Sequence, residues 1–556
     1  MLPSVDHGGA KMGEALRRLR DRLAEPLFPL RIPGADDAQR ACSEISRQID
    51  DYVLPRLARL DAPLLAVVGG STGSGKSTLV NALAGRTVSP AGVLRPTTRS
   101  PVLICGEGDE AWFADDRVLP SLPRSRGEVT DATEDEGILH LVRCDTLPVG
   151  LAVVDAPDFD SVVEPNRELA VQLLAAADLW LFVTTAARYA DAVPWSFLHT
   201  ARDRGVAVAV VIDRCPEGSR QEASEHLAQL LHARGLGDAP FFVLPEVERG
   251  ELLGEEAIAS LRGWLAHVAS DDEARQTLVR ETLDGAIDSF GERLIPVTRV
   301  AEQQDEIVAE LLSVVDEASA VAGQGVDNAT LDGSLVRGDV LTRWRELVGS
   351  GEMVRAVHAG ATSTQVTELR AAFAEGVQAM LLAHAAQLVE HVSGRWAQGS
   401  AGEAVLAGAP DDPRRVSAEL TASVRDVVNG WQDRVTQLVH EASSDDGSPT
   451  PDYDAVVLGL ILVLVTVTPV GAATGTEVAV ARSATRASRK LLESIFGGEA
   501  VRRHAATVRR DLQGETHGLL EAEAERYRDL LRRTQVPDNG ADRLREVQFG
   551  LDAARR

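Results

Sequence analysis

The sequence is short of cysteine, aromatic residues and lysine, and each shortage excludes a class of protein. Its four cysteines lie far apart, without the CxxC or Cys/His spacing of a zinc or redox site, which favours free thiols in a reducing cytosol over a disulfide framework. Aromatic residues make up only 4% of the 556 residues, so the cores must consist mainly of Leu, Val and Ala, which suits helix bundles better than β-sandwiches. The N-terminus has no apolar run typical of a secretory signal, which predicts a cytoplasmic location.

Positive charge is also scarce. The 84 acidic and 57 basic residues give a net charge of −27, so a broad basic surface of the kind that grips DNA or RNA is not expected, and we predict no nucleic-acid partner. Nearly all basic residues are Arg, because lysine occurs only at Lys11, Lys76 and Lys490. A role that requires lysine therefore has few candidates.

Apolar patterning divides the chain into three regions. Residues 1–60 show helical spacing, whereas residues 61–254 alternate short apolar strands with helical stretches. This alternation predicts an α/β domain, a mostly parallel sheet with helices on both faces. We expect strands near 64–69, 102–106, 138–143, 150–154, 178–184, 206–212 and 241–244, and helical stretches that start near 76, 166, 193 and 221.

Residues 255–556 lack strand signals and have helical patterning. Breaks are expected near 321–335, 396–415 and 443–452, where Gly, Asp, Pro and Ser accumulate. We predict that this region forms a large all-α helical trunk, joined by the helices of residues 1–60. An acidic stretch between 107 and 137 is expected to be an insertion or a mobile loop.

The strongest motif lies between the first expected strand and the helix after it. The pattern G-x-x-x-x-G-K-S is formed by Gly70, Ser71, Thr72, Gly73, Ser74, Gly75, Lys76 and Ser77, and Thr78 continues into the helix. Glycines let such a loop wrap closely, so that backbone N–H groups point at phosphate oxygens, and the helix N-terminus adds positive partial charge. Lys76 would reach the β- and γ-phosphates, and the Ser77 hydroxyl would bind Mg²⁺. The motif predicts that residues 70–78 bind a nucleoside triphosphate with Mg²⁺.

A second candidate group for the metal ends a later strand. Asp155 follows Val153 and Val154, and it is a candidate to hold Mg²⁺ through a water molecule. Ala156 stands where transport ATPases normally have Glu, and the sequence contains no Leu-Ser-Gly-Gly-Gln-like signature. The pattern therefore disfavours an ATP-driven transport subunit.

Three motifs together resemble those of the dynamin-like GTPases. They are Gly70–Ser77, Arg95-Pro96-Thr97-Thr98-Arg99-Ser100-Pro101 and Asp155-Ala156-Pro157-Asp158. The resemblance implies a P-loop GTPase domain that hydrolyses GTP with Mg²⁺. It also implies that Thr98 coordinates the metal and senses the γ-phosphate, with Thr97 as the alternative register. On this basis the catalytic residues are Lys76, Thr98 and Asp155, and the metal-binding residues are Ser77, Thr98 and Asp155.

Two motifs depart from the family pattern. Asp158 stands where the third motif, Asp-x-x-Gly, has Gly. In place of the guanine-reading Asn/Thr-Lys-x-Asp, the chain has Asp213-Arg214-Cys215-Pro216, so that Pro216 replaces the base-reading acid. Asp213 is a candidate to accept hydrogen bonds from the base and Arg214 to stack on it, and a simple turn after the strand is the alternative. Glu246, which follows the strand at 241–244, is a further candidate near the base.

A charge-free run occupies residues 455–476 of the predicted trunk. As a helix, residues 455–473 would reach about 28 Å, close to the bilayer core of about 30 Å. The run is apolar on all sides, which requires burial in lipid or in protein. A basic cluster follows it, and such residues favour anionic lipid headgroups. The cluster contains Arg482, Arg486, Arg489, Lys490, Arg502, Arg503, Arg509 and Arg510. A membrane-contact segment is the preferred interpretation, and a buried core helix is the alternative.

The sequence as a whole predicts a dynamin-like GTPase that couples nucleotide-dependent association to membrane binding or remodelling. The resemblance implies a homo-oligomer or a paired dynamin-like partner, located peripherally or partly inserted at the inner face of the cell membrane. The alternative is a soluble cytosolic regulatory NTPase, a protein-interaction switch without membrane action.

Overall fold

The computed structural model describes most of the chain. The described residues are 8–89, 100–115, 118–120, 122–127, 137–160, 164–204, 206–247, 253–359, 364–444, 459, 461, 463 and 476–556. They fall into two compact units, and each is described by itself. The first comprises the described residues within Met1–Phe28, Pro33–Glu302 and Pro537–Arg556, and the second those within Pro29–Ile32 and Gln303–Val536.

An eight-stranded sheet forms the centre of the first unit. Its strands are Leu64–Gly70 (β1), Val102–Cys105 (β2), Arg124–Arg126 (β3), Leu139–Arg143 (β4), Leu151–Asp155 (β5), Leu179–Thr185 (β6), Ala207–Cys215 (β7) and Phe241–Pro245 (β8). Their order is β3-β4-β2-β5-β1-β6-β7-β8, and only the β2–β5 pair is antiparallel. All seven residues of β1 are buried, as expected for a strand covered on both faces.

Helices cover both faces of this sheet, and two apolar cores lie between the layers. The helices of the first unit are Gly8–Leu23, Ala35–Gln48, Leu54–Ala58, Lys76–Ala84, Glu110–Phe113, Glu164–Ala175, Ala192–Asp203, Arg220–Ala233, Glu255–Ser270, the beginning of Asp272–Asp332, and Gly540–Arg555. A π-helical turn, Ile49–Val53, links the second and third helices, and a 3-10 turn, Glu217–Ser219, precedes Arg220–Ala233. The mostly parallel α/β fold is therefore confirmed.

A third apolar core joins both chain ends within the first unit. Met12, Leu16 and Leu19 pack there with Phe290 and Leu544, which belong to helices from distant parts of the sequence. The helices near the N-terminus therefore belong to the compact unit that contains the sheet. The predicted boundaries at residues 60 and 254 divide the chain by fold class, and they stay predictions.

Helices connected by turns make up the second unit, which has no strand among its described residues. They are the remainder of Asp272–Asp332, a 3-10 turn at Ser334–Val336, Gly338–Gly349, Glu352–Ala359, Thr364–Trp396, Ser400–Ala407, Leu420–Ser444, Thr476–Phe496 and Gly498–Arg533. Of the described helices, none combines the length and the apolar character needed to cross a membrane. The predicted membrane-contact segment 455–476 lies outside the described residues, apart from Gly459, Ile461, Val463 and Thr476.

The structure has two local features that the sequence pattern did not predict. Helix Asp272–Asp332 continues through most of the break expected at 321–335 and stops before Gly333, whose φ of +78° favours glycine. The stretch 107–137 contains the short strand β3, which pairs in parallel with β4. Arg124 supports it by donating hydrogen bonds to several backbone carbonyls, so a polar side chain organises the segment that apolar periodicity did not reveal.

Candidate functional site

The loop between β1 and helix Lys76–Ala84 depends on glycine at specific positions. Gly73 and Gly75 have φ of +75° and +103°, a region that other residues rarely adopt. A Cβ at Gly70 would overlap the carbonyl oxygen of Val183, and a Cβ at Gly75 would lie 2.9 Å from Cγ of Asp213. The glycines therefore let the loop turn closely against β6 and β7, and Gly75 caps the N-terminus of the helix.

Lys76 is buried at the base of this loop, with 5% of its surface exposed. Its Nζ donates hydrogen bonds to the carbonyl oxygens of Gly70 at 3.0 Å and Ser71 at 3.3 Å. The same ammonium group forms an ion pair with the carboxylate of Asp158, which is 16% exposed. The loop thus holds Lys76, the predicted phosphate-binding lysine, in place. Asp158 of the same chain neutralises its charge.

Asp155 lies beside the loop because β5 is the parallel neighbour of β1, with Asp155 opposite Val68. It is fully buried, and burial raises the pKa of its carboxyl, whereas hydrogen bonds from Ser89 and Ser77 and the charge of Lys76 lower it. Ser89 donates to Oδ2, and Oδ1 is buried without a hydrogen-bond partner among the described residues. Oδ1 of Asp155 and the nearby hydroxyl of Ser77 are oxygen ligands of the kind that Mg²⁺ prefers, so these two residues fit a Mg²⁺ site.

Two further residues of this site were not found from the sequence. Oδ1 of Asp160 accepts hydrogen bonds from the Thr72 backbone N–H at 2.7 Å and from the Thr72 hydroxyl at 2.9 Å. Ser89 holds Asp155 from the segment after the helix. The alternation of acids in Asp158-Phe159-Asp160 was the available signal, because it places two carboxylates immediately after the motif at Asp155.

Asp213 is buried at the end of β7, where its carboxylate lies against Gly75. Burial, opposed by the backbone N–H and the guanidinium of Arg214 and aided by the nearby charge of Glu246, raises the pKa of Asp213 to about 6. Arg214 has a left-handed φ of +56° and keeps about half of its side chain exposed, at 48%. The structure therefore brings Asp213 to the phosphate loop and leaves Arg214 at its surface.

A cavity of about 680 Å³ opens at the carboxyl ends of β7 and β8. It is lined by Cys215, Pro216, Glu217, Arg220, Pro245, Glu246 and Val247. Nε of Arg220 is buried and has no hydrogen-bond partner among the described residues. The cavity thus presents one guanidinium and two carboxylates close to the phosphate loop, at the edge of the sheet where α/β proteins bind ligands.

Other predicted site residues have simpler outcomes. Ser74 is buried and its hydroxyl has no hydrogen-bond partner in the described part of the chain, whereas Thr78 lies partly exposed on the helix. Thr98 and Thr97 lie outside the described residues. All four cysteines are buried free thiols. Among residues that the structure describes, no cluster of three or more His, Cys, Asp or Glu side chains could hold a metal ion.

Comparison with known proteins shows which family the region around this site resembles. Residues 65–214 match the model of the Dynamin family. A stretch of 145 residues is 29% identical to "Probable transmembrane GTPase FZO-like, chloroplastic" of Arabidopsis thaliana. The stretch covers 26% of this chain and 14% of that protein, so the chain matches only about a seventh of its relative's length. The resemblance to dynamin-like GTPases is confirmed for this domain.

Solved structures of bacterial dynamins also overlap with the chain. One comes from work titled "An oligomerised bacterial dynamin pair provides a mechanism for the long-range sensing and tethering of membranes"; it is 11% identical, with a TM-score of 0.40 over 98% of this chain and 94% of that one. The "LeoA bacterial dynamin GTPase from ETEC" is 12% identical, with a TM-score of 0.23 over 100% and 99% of the two chains. At these TM-scores the spatial agreement is slight.

Proposed function

We propose that this chain, which carries a dynamin-family GTPase domain at residues 65–214, binds and hydrolyses GTP with Mg²⁺. The observation that carries the proposal is the meeting of three groups at the carboxyl ends of β1 and β5. They are the glycine-shaped loop, the buried ammonium of Lys76 and the unsatisfied carboxylate oxygen of Asp155. Together they complement a triphosphate and its metal ion.

The residues divide the work between binding and charge stabilisation. Loop amides and Lys76 would hold the phosphates and stabilise the negative charge that develops as water attacks the γ-phosphate. Ser77 and Asp155 would hold Mg²⁺, which when bound neutralises charge on the phosphate oxygens. Thr98 is proposed as the further metal-binding and γ-phosphate-sensing residue by family resemblance.

We further propose that the nucleotide cycle acts at a membrane surface, with anionic lipid headgroups and a second dynamin-like chain as partners. The support is a set of exposed basic side chains in the second unit that form no ion pair among the described residues. They are Arg486, Lys490, Arg502, Arg503 and Arg510. The apolar segment 455–476 precedes them in the sequence, and the name of the Arabidopsis relative describes a transmembrane GTPase. A peripheral or partly inserted position at the inner face of the cell membrane follows from this proposal.

One observation favours a second candidate function, a soluble regulatory switch. Gly459, Ile461 and Val463 of the apolar run are buried. A Cβ at Gly459 would lie 3.5 Å from Cα of Thr436 in helix Leu420–Ser444, so this residue lies against protein. Under this alternative the apolar run is a core helix and the trunk binds proteins instead of lipid.

Nucleotide titration tests the proposed activity. The full chain is titrated with GTP and ATP in Mg²⁺ or EDTA, and phosphate release is followed in parallel. GTP is expected to bind more tightly with Mg²⁺, and Lys76→Ala should weaken binding at least about tenfold because a charged hydrogen-bond donor is lost. Asp155→Asn should remove most of the Mg²⁺ dependence.

Lys11→Ala provides the matched control, because Lys11 is an exposed lysine far from this loop in the sequence. It should bind GTP as the wild type does. The proposal fails if the folded wild type has no affinity for either nucleotide, or if Lys76→Ala binds and hydrolyses GTP as well as Lys11→Ala.

A further inference from the structure

The ion pair between Asp158 and Lys76 occupies the group that a nucleotide needs. Among the described residues, Lys76 donates to two carbonyl oxygens of the loop and forms an ion pair with the Asp158 carboxylate. Of these three partners only Asp158 is charged, although the charge of Lys76 also acts on the nearby carboxyl of Asp155. In a P-loop the lysine contacts β- and γ-phosphate oxygens. Here the carboxylate of Asp158 pairs with the ammonium group that those phosphate oxygens would contact.

The residues after Asp158 hold it in this position. Phe159 is 1% exposed and packs in the core, with its ring centroid 3.7 Å from that of Phe197 and 5.8 Å from that of Phe182. Asp160 accepts two hydrogen bonds from Thr72 of the loop. The backbone on one side of Asp158 is therefore fixed both to the core and to the phosphate loop, and its carboxylate is delivered to Lys76 by an ordered segment.

We propose that Asp158 is a built-in competitor for the phosphates, so that a triphosphate must displace it from Lys76 before the phosphates can contact this lysine. The inference rests on the proposed nucleotide binding and goes beyond it. It assigns a role to Asp158, which stands where the dynamin-like motif has Gly. Gly has no side-chain carboxylate. A carboxylate of this chain and a phosphate cannot both take the single ammonium group without placing two negative charges together.

With such competition, the apparent affinity for nucleotide equals the intrinsic affinity multiplied by the fraction of molecules in which Lys76 is free of Asp158. The effect is larger for a triphosphate than for a diphosphate, because the γ-phosphate brings additional negative charge to the Asp158 carboxylate. Asp158 therefore affects the ratio of the triphosphate affinity to the diphosphate affinity. It also couples γ-phosphate binding to movement of Asp158, the first residue of the segment 158–160.

Three substitutions separate this role from simple charge removal. Asp158→Asn keeps the size of the side chain and removes its charge, and Asp158→Glu restores the charge. Asp160→Asn removes a carboxylate two residues away, which contacts Thr72 but forms no ion pair with Lys76 among the described residues. Affinities and association rates are measured for the full chain with a fluorescent non-hydrolysable GTP analogue and with a fluorescent GDP analogue, each in Mg²⁺.

Asp158→Asn is expected to bind the triphosphate about tenfold more tightly, chiefly through faster association, and to raise the triphosphate-to-diphosphate affinity ratio by about threefold. The gain should exceed that of Asp160→Asn by about fivefold, and Asp158→Glu should stay near the wild type. Wild-type binding with no gain in Asp158→Asn, or an equal gain in Asp160→Asn, overturns this inference alone. If no variant and no wild-type protein binds either analogue, the proposed function fails and this inference fails with it.

Discussion

The carboxylate of Asp213 lies directly against Gly75, at the end of β7 and the start of the phosphate-loop helix. A carboxyl group in this buried position is expensive to ionise, which is why its pKa rises to about 6. The contact places a titratable group next to the loop that would receive a highly charged ligand. The state of Asp213 should therefore affect both the stability of the first unit and its use of nucleotide.

Asp213→Asn should stabilise the protein at neutral pH. The pKa of the folded-state carboxyl is about 6 and the ordinary value is 3.8, so the folded protein binds the extra proton between these pH values. The contribution of the Asp213 carboxyl to the free energy of unfolding is fully present below pH 3.8 and is lost as pH rises through 6. Above pH 6 the lost stability amounts to about 3 kcal/mol, and the amide avoids this cost.

Urea unfolding of wild type and Asp213→Asn at several pH values measures the effect. Asp271→Asn gives a control of opposite sign, because Asp271 accepts hydrogen bonds from the N–H groups of Glu273 and Ala274, which lower its pKa. Its contribution is present at neutral pH and is lost as pH falls through the lowered pKa. A pH-independent difference between wild type and Asp213→Asn would contradict the assigned role of burial.

Much of the geometry of the candidate phosphate site could be predicted because its determinants are local in sequence. Lys76 and Ser77 follow a strand and begin a helix, and the spacing alone places them at the loop. Asp155 was predicted as the end of a strand, and the parallel β1–β5 pair brings it to the loop as expected of neighbouring strand ends. The sheet was predictable for the same reason, since its buried strands are short continuous apolar runs.

The remaining contacts depend on side chains that meet across the fold. Nothing in the local pattern showed that Asp158 reaches Lys76 or that Asp160 reaches Thr72, because each pair is more than eighty residues apart. β3 was missed because its three residues, Arg124–Arg126, carry no apolar alternation. Helix Asp272–Asp332 was expected to break early because Gly323 and Gly325 are helix-weakening residues, yet the helix continues through both.

Base selectivity should depend on Glu246. This carboxylate lines the cavity beside the loop, and its charge acts on Asp213, which contacts Gly75. Guanine offers N1–H and N2–H donors that a carboxylate accepts, and O6 and N7 acceptors that suit the guanidinium of Arg220. Adenine lacks this combination, so we expect the cavity to favour guanine although Pro216 replaces the usual acid.

Glu246→Gln tests this selectivity with GTP, XTP and ATP. The amide cannot accept both guanine protons, but it can donate to the oxygen that xanthine carries in place of the amino group. GTP affinity should fall about tenfold and XTP affinity should rise, since one two-point contact contributes about 1–3 kcal/mol of discrimination. Glu217→Gln is the matched control from the same cavity. If Glu217→Gln changes the GTP-to-XTP ratio and Glu246→Gln does not, the assignment to Glu246 is wrong.

Membrane binding should depend on the exposed basic side chains of the second unit. Arg502 and Arg503 lie in the second turn of helix Gly498–Arg533, are exposed, and form no ion pair with other described residues. Each basic side chain near an anionic surface contributes about 1 kcal/mol, so the double variant Arg502→Glu/Arg503→Glu should weaken binding to phosphatidylserine vesicles at least about tenfold. Flotation with and without a GTP analogue measures the bound fraction.

The control carries the same charge change elsewhere in the second unit. Arg395 and Arg425 are exposed on helices Thr364–Trp396 and Leu420–Ser444, and they too form no ion pair among the described residues. Arg395→Glu/Arg425→Glu should reduce flotation far less if headgroups contact a defined surface. Equal losses in both double variants would show that only net charge matters. A wild-type chain that binds GTP yet never floats with anionic vesicles would favour the soluble switch, because the buried Ile461 and Val463 would then mark a core helix.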